Sequence, residues 1–288
     1  MRNLWAVLLF AACTTNGDDE PLDTGSPLDS DGRPAATGEH EVTLRFRAVV
    51  DDEPFSCNRE YRYLGASGGA SLRFNDLRLF LQDVGFIDRD EHVPLTLDEG
   101  PFQSDAVALL DFEDASGTCR EGTPEINTTI TGRIPNNISL RELQFTIGVP
   151  FDLNHTEPEE DAAPLNAPGM FRDSFTGHYF FRLDSTVLLD NQPWPVHIQS
   201  ARCRLQGGQV SECLAPNRAA FTFDGFDPDA DEIVIDLRAM LARVDPNLGT
   251  GGCRSEPTDP DCAEMFIVWG LGAAEQSFIR VERPESDD

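Results

Sequence analysis

Six cysteines lie downstream of an apolar N-terminal segment, and together they predict an exported domain that is cross-linked by disulfides. The segment from Leu4 to Ala12 is apolar and ends in two small residues before Cys13. It is much shorter than the about 20 residues that span a bilayer, so it is typical of a signal peptide. Small residues before a cysteine are typical of a bacterial lipobox. We therefore expect residues 1–12 to be removed and Cys13 to carry a lipid; ordinary secretion and a misassigned start are the alternatives.

The predicted lipid would hold the mature protein at a membrane surface, on the periplasmic or cell-surface side. Thr14 follows the lipid cysteine and is not the aspartate that favours inner-membrane retention in many bacteria. We therefore expect the outer membrane, with the inner membrane left open. Residues 13–39 are acidic and contain few large apolar side chains, which is typical of a disordered tether. The β domain is expected over residues 40–283, followed by an acidic tail at 284–288.

The six cysteines of the mature chain are expected to form three disulfides, because export leads to an oxidising compartment. Six cysteines allow 15 pairings. Loop closure costs least entropy between near neighbours, so neighbours are paired first and the remaining two are paired by elimination. The predicted pairs are Cys203–Cys213, Cys253–Cys262 and Cys57–Cys119. A thiolate site for zinc or an iron–sulfur cluster is the alternative, but the chain contains no CxxC.

Short segments with alternating polar and apolar residues predict an all-β domain. Residues 41–49 alternate in this way, which is the period of a half-buried strand. Further strands are predicted at 71–82, 84–87, 127–134, 143–149, 178–183, 196–203, 219–223, 232–237, 265–270 and 278–281. One short helix is predicted at 236–244, where the apolar residues fall on one face. Many short strands separated by turn residues favour a single β-sandwich-like domain with long loops.

The strong negative charge and the absence of common catalytic and cofactor-binding motifs exclude several functions. All 22 basic residues are arginine, and 51 acidic residues give a formal net charge of -29. Such a surface repels nucleic acid and favours solubility, cationic partners or divalent metals. The sequence has no P-loop, no GxGxxG and no CxxCH. Carboxylate pairs carry little information in so acidic a chain. We therefore expect a protein with no enzymatic activity of its own.

Metal ligands are the remaining candidates for chemistry. Imidazole suits copper and zinc, and the chain has five histidines without HxH or HExxH spacing. His197 lies in a predicted strand three residues after Trp194, and His155 follows an apolar run. We expect strands from distant segments to bring histidines together on one metal. Asp227, Asp229 and Asp231 alternate in a loop, which fits either calcium ligands or a solvated turn.

Several strings, in order along residues 40–281, resemble the MbnP-like family, the four-Cys members of a "metallo-mystery pair". The strings are Pro54 to Cys57, Val107 to Asp114 leading to Cys119, Gly148 to His155, Pro164 to Asn166, Met170-Phe171, Phe181 to Asp184, Cys213 to Arg218 and Asp259 to Ala263. The resemblance implies a partner, a di-haem cytochrome c peroxidase-like enzyme of the MauG/MbnH type that oxidises a tryptophan to kynurenine. It also implies copper held by kynurenine and histidines.

The chain departs from this family at one place, because no tryptophan follows Met170-Phe171. The mature chain keeps Trp194 and Trp269, and we expect Trp194 to be the oxidation target if the modification occurs. The resemblance implies His155 as a metal ligand most directly, with His197 and then His178 behind it. The alternative function is a calcium-stabilised cell-surface scaffold or adhesion module without a transition metal.

Overall fold

A computed structural model describes residues 38–120, 122–159, 162–248, 251–272 and 276–284. The predicted signal peptide, Cys13, the tether up to residue 37 and the tail after residue 284 lie outside the described residues. No helix in the described part of the chain is long and apolar enough to cross a membrane.

The described residues form twenty strands and three short helices. The strands are β1 Glu39–Val50, β2 Glu53–Pro54, β3 Glu60–Leu64, β4 Ala70–Asp88, β5 Glu91–Pro94, β6 Thr96–Leu97, β7 Gln103–Ser104, β8 Val107–Asp111, β9 Thr129–Pro135, β10 Glu142–Ile147, β11 Phe171–Asp173, β12 Gly177–His178, β13 Phe181–Val187, β14 Gln192–Pro193, β15 Val196–Ile198, β16 Ala201–Gln206, β17 Gln209–Ala215, β18 Ala219–Asp224, β19 Glu232–Asp236 and β20 Ile279–Glu282. The helices are α1 Phe151–Asn154, α2 Leu237–Leu241 and α3 Pro260–Val268.

Two larger sheets enclose the core, which confirms the predicted all-β sandwich-like fold. The first sheet has the order β20-β19-β1-β9-β6, and the second has the order β14-β13-β4-β10-β18, with shorter strands along β4. Alternate residues of β1 are buried, as its period of two requires. Phe46 of the first sheet contacts Phe145 of the second edge to face, with ring centroids 5.8 Å apart. The two inner faces therefore share one apolar core.

Strand β4 is the centre of the second sheet and is the reason that polar residues are buried there. It pairs with β13, β10, β8, β5 and β3. Its central part is buried on both faces, including the charged pair Asp76 and Arg78. The segment 84–87 continues the strand predicted at 71–82, so that the two form one strand from Ala70 to Asp88.

The six described cysteines are paired as the sequence predicts. Cys203 and Cys213 lie directly opposite each other in the separate hairpin β16–β17. The other two pairs hold loops: Cys57–Cys119 joins the segment after β2 to the segment after β8, and Cys253–Cys262 joins a loop to α3.

The helix predicted at 236–244 is present as α2, and Asp236 caps it by accepting a hydrogen bond from the backbone N–H of Ala239. The strand predicted at 265–270 is wrong, because these residues belong mostly to α3 and its C-terminal cap. Asp259 caps α3 and Pro260 occupies its first turn, two start signals that outweigh the short apolar run. The prediction of one helix is likewise corrected to three.

Candidate metal site at His155

His155 is the C-terminal cap of the one-turn helix α1. This helix begins directly after Pro150, a few residues beyond the end of β10. Its ring packs against Phe151 with centroids 4.9 Å apart. The side chain lines an open cavity of about 690 Å³. The apolar residues on this cavity are Phe151, Phe175, Leu205 and Val210. A half-buried imidazole that lines an open cavity is a candidate metal ligand.

Hydrogen bonds fix which ring nitrogen of His155 can bind a metal. Nδ1 lies 3.3 Å from the carbonyl oxygen of Ser174, which can only accept, so Nδ1 carries the proton. Nε2 lies 3.2 Å from the side-chain Nδ2 of Asn154, which donates to it. Burial lowers the pKa of His155, and the charge of Arg218 lowers it further, which outweighs the opposing hydrogen bond to Ser174. The ring is therefore neutral near pH 7, and the electron pair on Nε2 accepts the hydrogen bond from Asn154.

The cross-strand disulfide lies beside this nitrogen. Nε2 of His155 is 3.5 Å from Sγ of Cys213. One ligand atom from each of His155, Cys203 and Cys213 falls within 4.8 Å of the others, the one such group of His, Cys, Asp or Glu among the described residues. In the disulfide form the two sulfurs lack the thiolate charge that binds metals. The oxidised protein therefore offers His155 without a complete ligand set.

His178 is a second imidazole joined to this site through Asn154. Its backbone N–H donates to Oδ1 of Asn154 at 2.9 Å. Its Nε2 donates to the carbonyl oxygen of Leu165 at 3.1 Å, whereas Nδ1 is buried without a hydrogen-bond partner. The side chain is 0 % exposed, and burial lowers its pKa. It is therefore neutral, with an unused electron pair on Nδ1.

His197 does not join His155, so the expected convergence of these two histidines is not met. It lies on β15 opposite Arg182 and lines a different cavity of about 610 Å³, which shares no lining residue with that of His155. Its ring packs on Tyr179, and Nε2 lies 2.7 Å from Oδ1 of Asp184. The reason is topological, since β15 pairs with β13 whereas His155 faces the hairpin β16–β17.

Asp184 connects His197 to a buried network of charges that sequence reasoning missed. Arg182 donates to Asp184 at 2.8 Å and lies 3.2 Å from Asp76, which also holds Arg78 through both carboxylate oxygens. Burial alone would raise the pKa of Asp184, but the hydrogen bond from His197 and the charge of Arg182 lower it to about 2. Asp184 is therefore an anion at neutral pH, and it orients the His197 ring. The sequence string Phe181 to Asp184 contained this aspartate but did not show that His197 would be its partner.

Trp194 and Trp269 are both buried in the core. The indole Nε1 atoms of Trp194 and Trp269 have no hydrogen-bond partner among the described residues. The ring of Trp269 packs against Phe181 and Phe278, at 5.0 and 4.8 Å. This arrangement is that of core residues, and oxidation of Trp194 stays a prediction.

The acidic loop at Asp227, Asp229 and Asp231 forms a turn closed by an arginine. Backbone N–H groups of the loop donate to Asp227 and Asp231 at 3.1 and 2.9 Å. Arg283 donates to the other oxygen of Asp231 at 2.8 Å and lies 3.7 Å from Asp227. The carboxylates of Asp227 and Asp231 are therefore engaged with the chain itself, and calcium binding by this loop stays a prediction.

Residues 65–69 fit the G-x-S-x-G pattern of serine hydrolases but not its structural context. The pattern requires a sharp strand-to-helix turn. Here it joins the antiparallel strands β3 and β4, and Ser67 accepts a hydrogen bond from the backbone N–H of Gly69 at 3.2 Å. The string is therefore a hairpin loop.

Comparison with known proteins agrees with this geometry. The model of the MbnP family matches residues 39–255. Among solved structures, MbnP from Methylosinus trichosporium is similar, with a TM-score of 0.72 and 26 % sequence identity over 85 % of this chain and 99 % of that chain. No curated protein matches the chain. The family match covers most of the chain and includes His155. It also includes five of the six paired cysteines, all but Cys262, and every strand of the two large sheets except β20. The chain belongs to the MbnP family.

Proposed function

We propose that this protein is an exported, lipid-anchored copper-handling protein that acts with a di-haem peroxidase-like partner and catalyses no reaction of its own. Membership of the MbnP family supports a copper-related accessory role at the level of the family. Copper is borderline to soft and prefers imidazole and sulfur ligands. His155 provides such a ligand in an open cavity.

The neutral Nε2 of His155 is the observation that carries the proposal. It lies within the residues that the family model matches, beside a cavity large enough for solvent or a ligand. His178 has a nitrogen without a hydrogen-bond partner, Nδ1, and its backbone N–H donates to Asn154, which also contacts His155. These groups fit a copper ion in part, and bound copper would supply redox chemistry that the side chains lack. The residues themselves bind and orient the ion.

Titration of the oxidised protein with Cu(II) and Cu(I) tests the proposal. We expect a Kd below about 10 μM, which corresponds to about 7 kcal/mol. His155→Gln should weaken binding about tenfold or more, whereas His197→Gln should leave it unchanged because His197 lines a separate cavity. Absence of binding, or equal losses in the two variants, would contradict the assignment.

Oxidation of Trp194 by the partner is the second part of the proposal. Both indole rings are buried, so the partner would have to withdraw electrons through the protein rather than touch a ring. Intact-mass measurement of protein incubated with the di-haem partner and peroxide should show conversion of one tryptophan to kynurenine. Trp194→Phe should abolish the change and Trp269→Phe should not.

Lipidation and outer-membrane location rest on the N-terminal sequence. Replacing Cys13 with serine should release the protein from the membrane fraction of expressing cells, and retention of the variant would count against the anchor.

A further inference from the structure

We propose that the Cys203–Cys213 disulfide can be reduced in the folded protein. Its reduction completes a soft-metal site, made of two thiolates and His155, that binds Cu(I). The inference shares His155 with the proposed function and rests on it to that extent. It adds a second, redox-controlled state to the same place in the molecule.

The geometry brings the three ligand residues together in one place. Cys203 and Cys213 are directly opposite each other across the hairpin, with Cα atoms 3.8 Å apart. Rotation of the two side chains after reduction separates the thiolates and lets both face one ion. Nε2 of His155 is already 3.5 Å from Cys213 Sγ, and its electron pair binds the ion once the hydrogen bond from Asn154 is given up. Ligand atoms of the three residues lie within 4.8 Å of one another, a span that one ion can bridge.

Access favours reduction of this disulfide over the other two. Cys213 is the one half-buried cysteine among the six described, whereas the other five are buried. Most side chains of β16 and β17 are exposed, and the hairpin forms a sheet of its own. A reductant can therefore reach Cys213, while Cys253 and Cys262 are 0 % exposed inside the core.

The chemistry balances with a dithiol as the reductant. A thiolate of the dithiol attacks the disulfide, and exchange yields two protein thiols and the disulfide of the reductant, with transfer of two electrons and two protons. Binding of Cu(I) then releases one proton from each thiol. Both protons leave to solvent, because Nε2 of His155 must keep its electron pair for the ion. The copper ion keeps its oxidation state throughout.

The ligand types favour a soft ion. Thiolate and imidazole ligands select Cu(I) or zinc over calcium or magnesium. The side chains of Phe151, Phe175 and Leu205 line the open cavity through which an ion reaches His155.

The first experiment maps the reduced cysteines. The full mature protein is treated with increasing dithiothreitol without denaturant, alkylated and analysed by peptide mass spectrometry. We expect Cys203 and Cys213 to be labelled at reductant concentrations that leave the other four protected, with the circular dichroism spectrum retained. Simultaneous labelling of all six cysteines, or loss of the folded spectrum, would overturn the inference.

The second experiment measures Cu(I) affinity anaerobically against a chromophoric Cu(I) chelator, for oxidised and selectively reduced protein. We expect one Cu(I) per chain and about a hundredfold tighter binding after reduction. Cys203→Ser/Cys213→Ser should lose the whole gain, His155→Gln about tenfold of it, and His197→Gln none. Equal affinity in both redox states, or a gain that His155→Gln leaves intact, would overturn it. Weak binding by the oxidised protein alone would contradict only the proposed function.

Discussion

Replacing the buried carboxyl of Asp111 with an amide should make the protein more stable at neutral and basic pH. Asp111 ends β8 opposite Arg78 and is 2 % exposed. Its Oδ1 accepts a hydrogen bond from the backbone N–H of Glu113 at 3.1 Å. Burial raises its pKa to about 7, and neither this hydrogen bond nor the charge of Arg78 offsets the effect. The side chain is thus neutral in the folded protein under mildly acidic conditions.

The sign and size of the effect follow from that pKa. The folded state holds the Asp111 proton more tightly than the unfolded state, whose pKa is about 3.9. The stability from this group is therefore complete below about pH 4 and is lost as the pH rises through about 7. The difference corresponds to at most about 4 kcal/mol, at about 1.4 kcal/mol per pH unit. Asp111→Asn keeps the acceptor oxygen and cannot ionise, so it escapes this loss.

Urea unfolding at pH 4, 6 and 8 measures the effect. We expect the free energy of unfolding of Asp111→Asn to equal that of the wild type near pH 4 and to exceed it increasingly toward pH 8, with unchanged m-values. Asp114→Asn is the matched control. Hydrogen bonds from Ser116 lower the pKa of Asp114, so its charged carboxylate stabilises the folded state above pH 4. Asp114→Asn should therefore reduce the free energy of unfolding above pH 4, opposite in sign to Asp111→Asn. A difference between Asp111→Asn and wild type that is the same at all three pH values would refute the reasoning.

Two further predictions concern charge and cross-links. Asp184→Asn should lower the free energy of unfolding by about 2 kcal/mol at pH 7, because the folded pKa of Asp184 is about 2 and its unfolded pKa is about 4. The stabilisation by the charged carboxylate is present above pH 4 and is lost as the pH falls to about 2. Unfolding curves at pH 7 and pH 2 check this, and an equal cost at both would contradict it. Cys57→Ser/Cys119→Ser should lower the free energy of unfolding by about 4 kcal/mol, and Cys203→Ser/Cys213→Ser by about 3 kcal/mol. The difference arises because the Cys57–Cys119 disulfide joins residues 62 positions apart, whereas the Cys203–Cys213 disulfide joins residues 10 positions apart. Calorimetric midpoints in the reverse order would contradict the loop-entropy argument.

The sequence determined the features that depend on neighbours along the chain. Alternation in residues 41–49 required a half-buried strand, and β1 has that pattern. Loop entropy favoured the pairs Cys203–Cys213 and Cys253–Cys262, which are present. The error at 265–270 has a local cause as well, because a short apolar run does not distinguish a strand from a buried helix. The capping residues Asp259 and Pro260 contained the deciding signal.

Only the tertiary structure decided which side chains meet. Asp184 binds His197 because β13 and β15 pair in one register. His155 meets Cys213 although 58 residues separate them, because α1 packs beside the hairpin β16–β17. A sequence shows which groups can ligate a metal, since that depends on the side chain itself. The distance between such groups depends on strand register and packing across distant segments, which no local pattern contains.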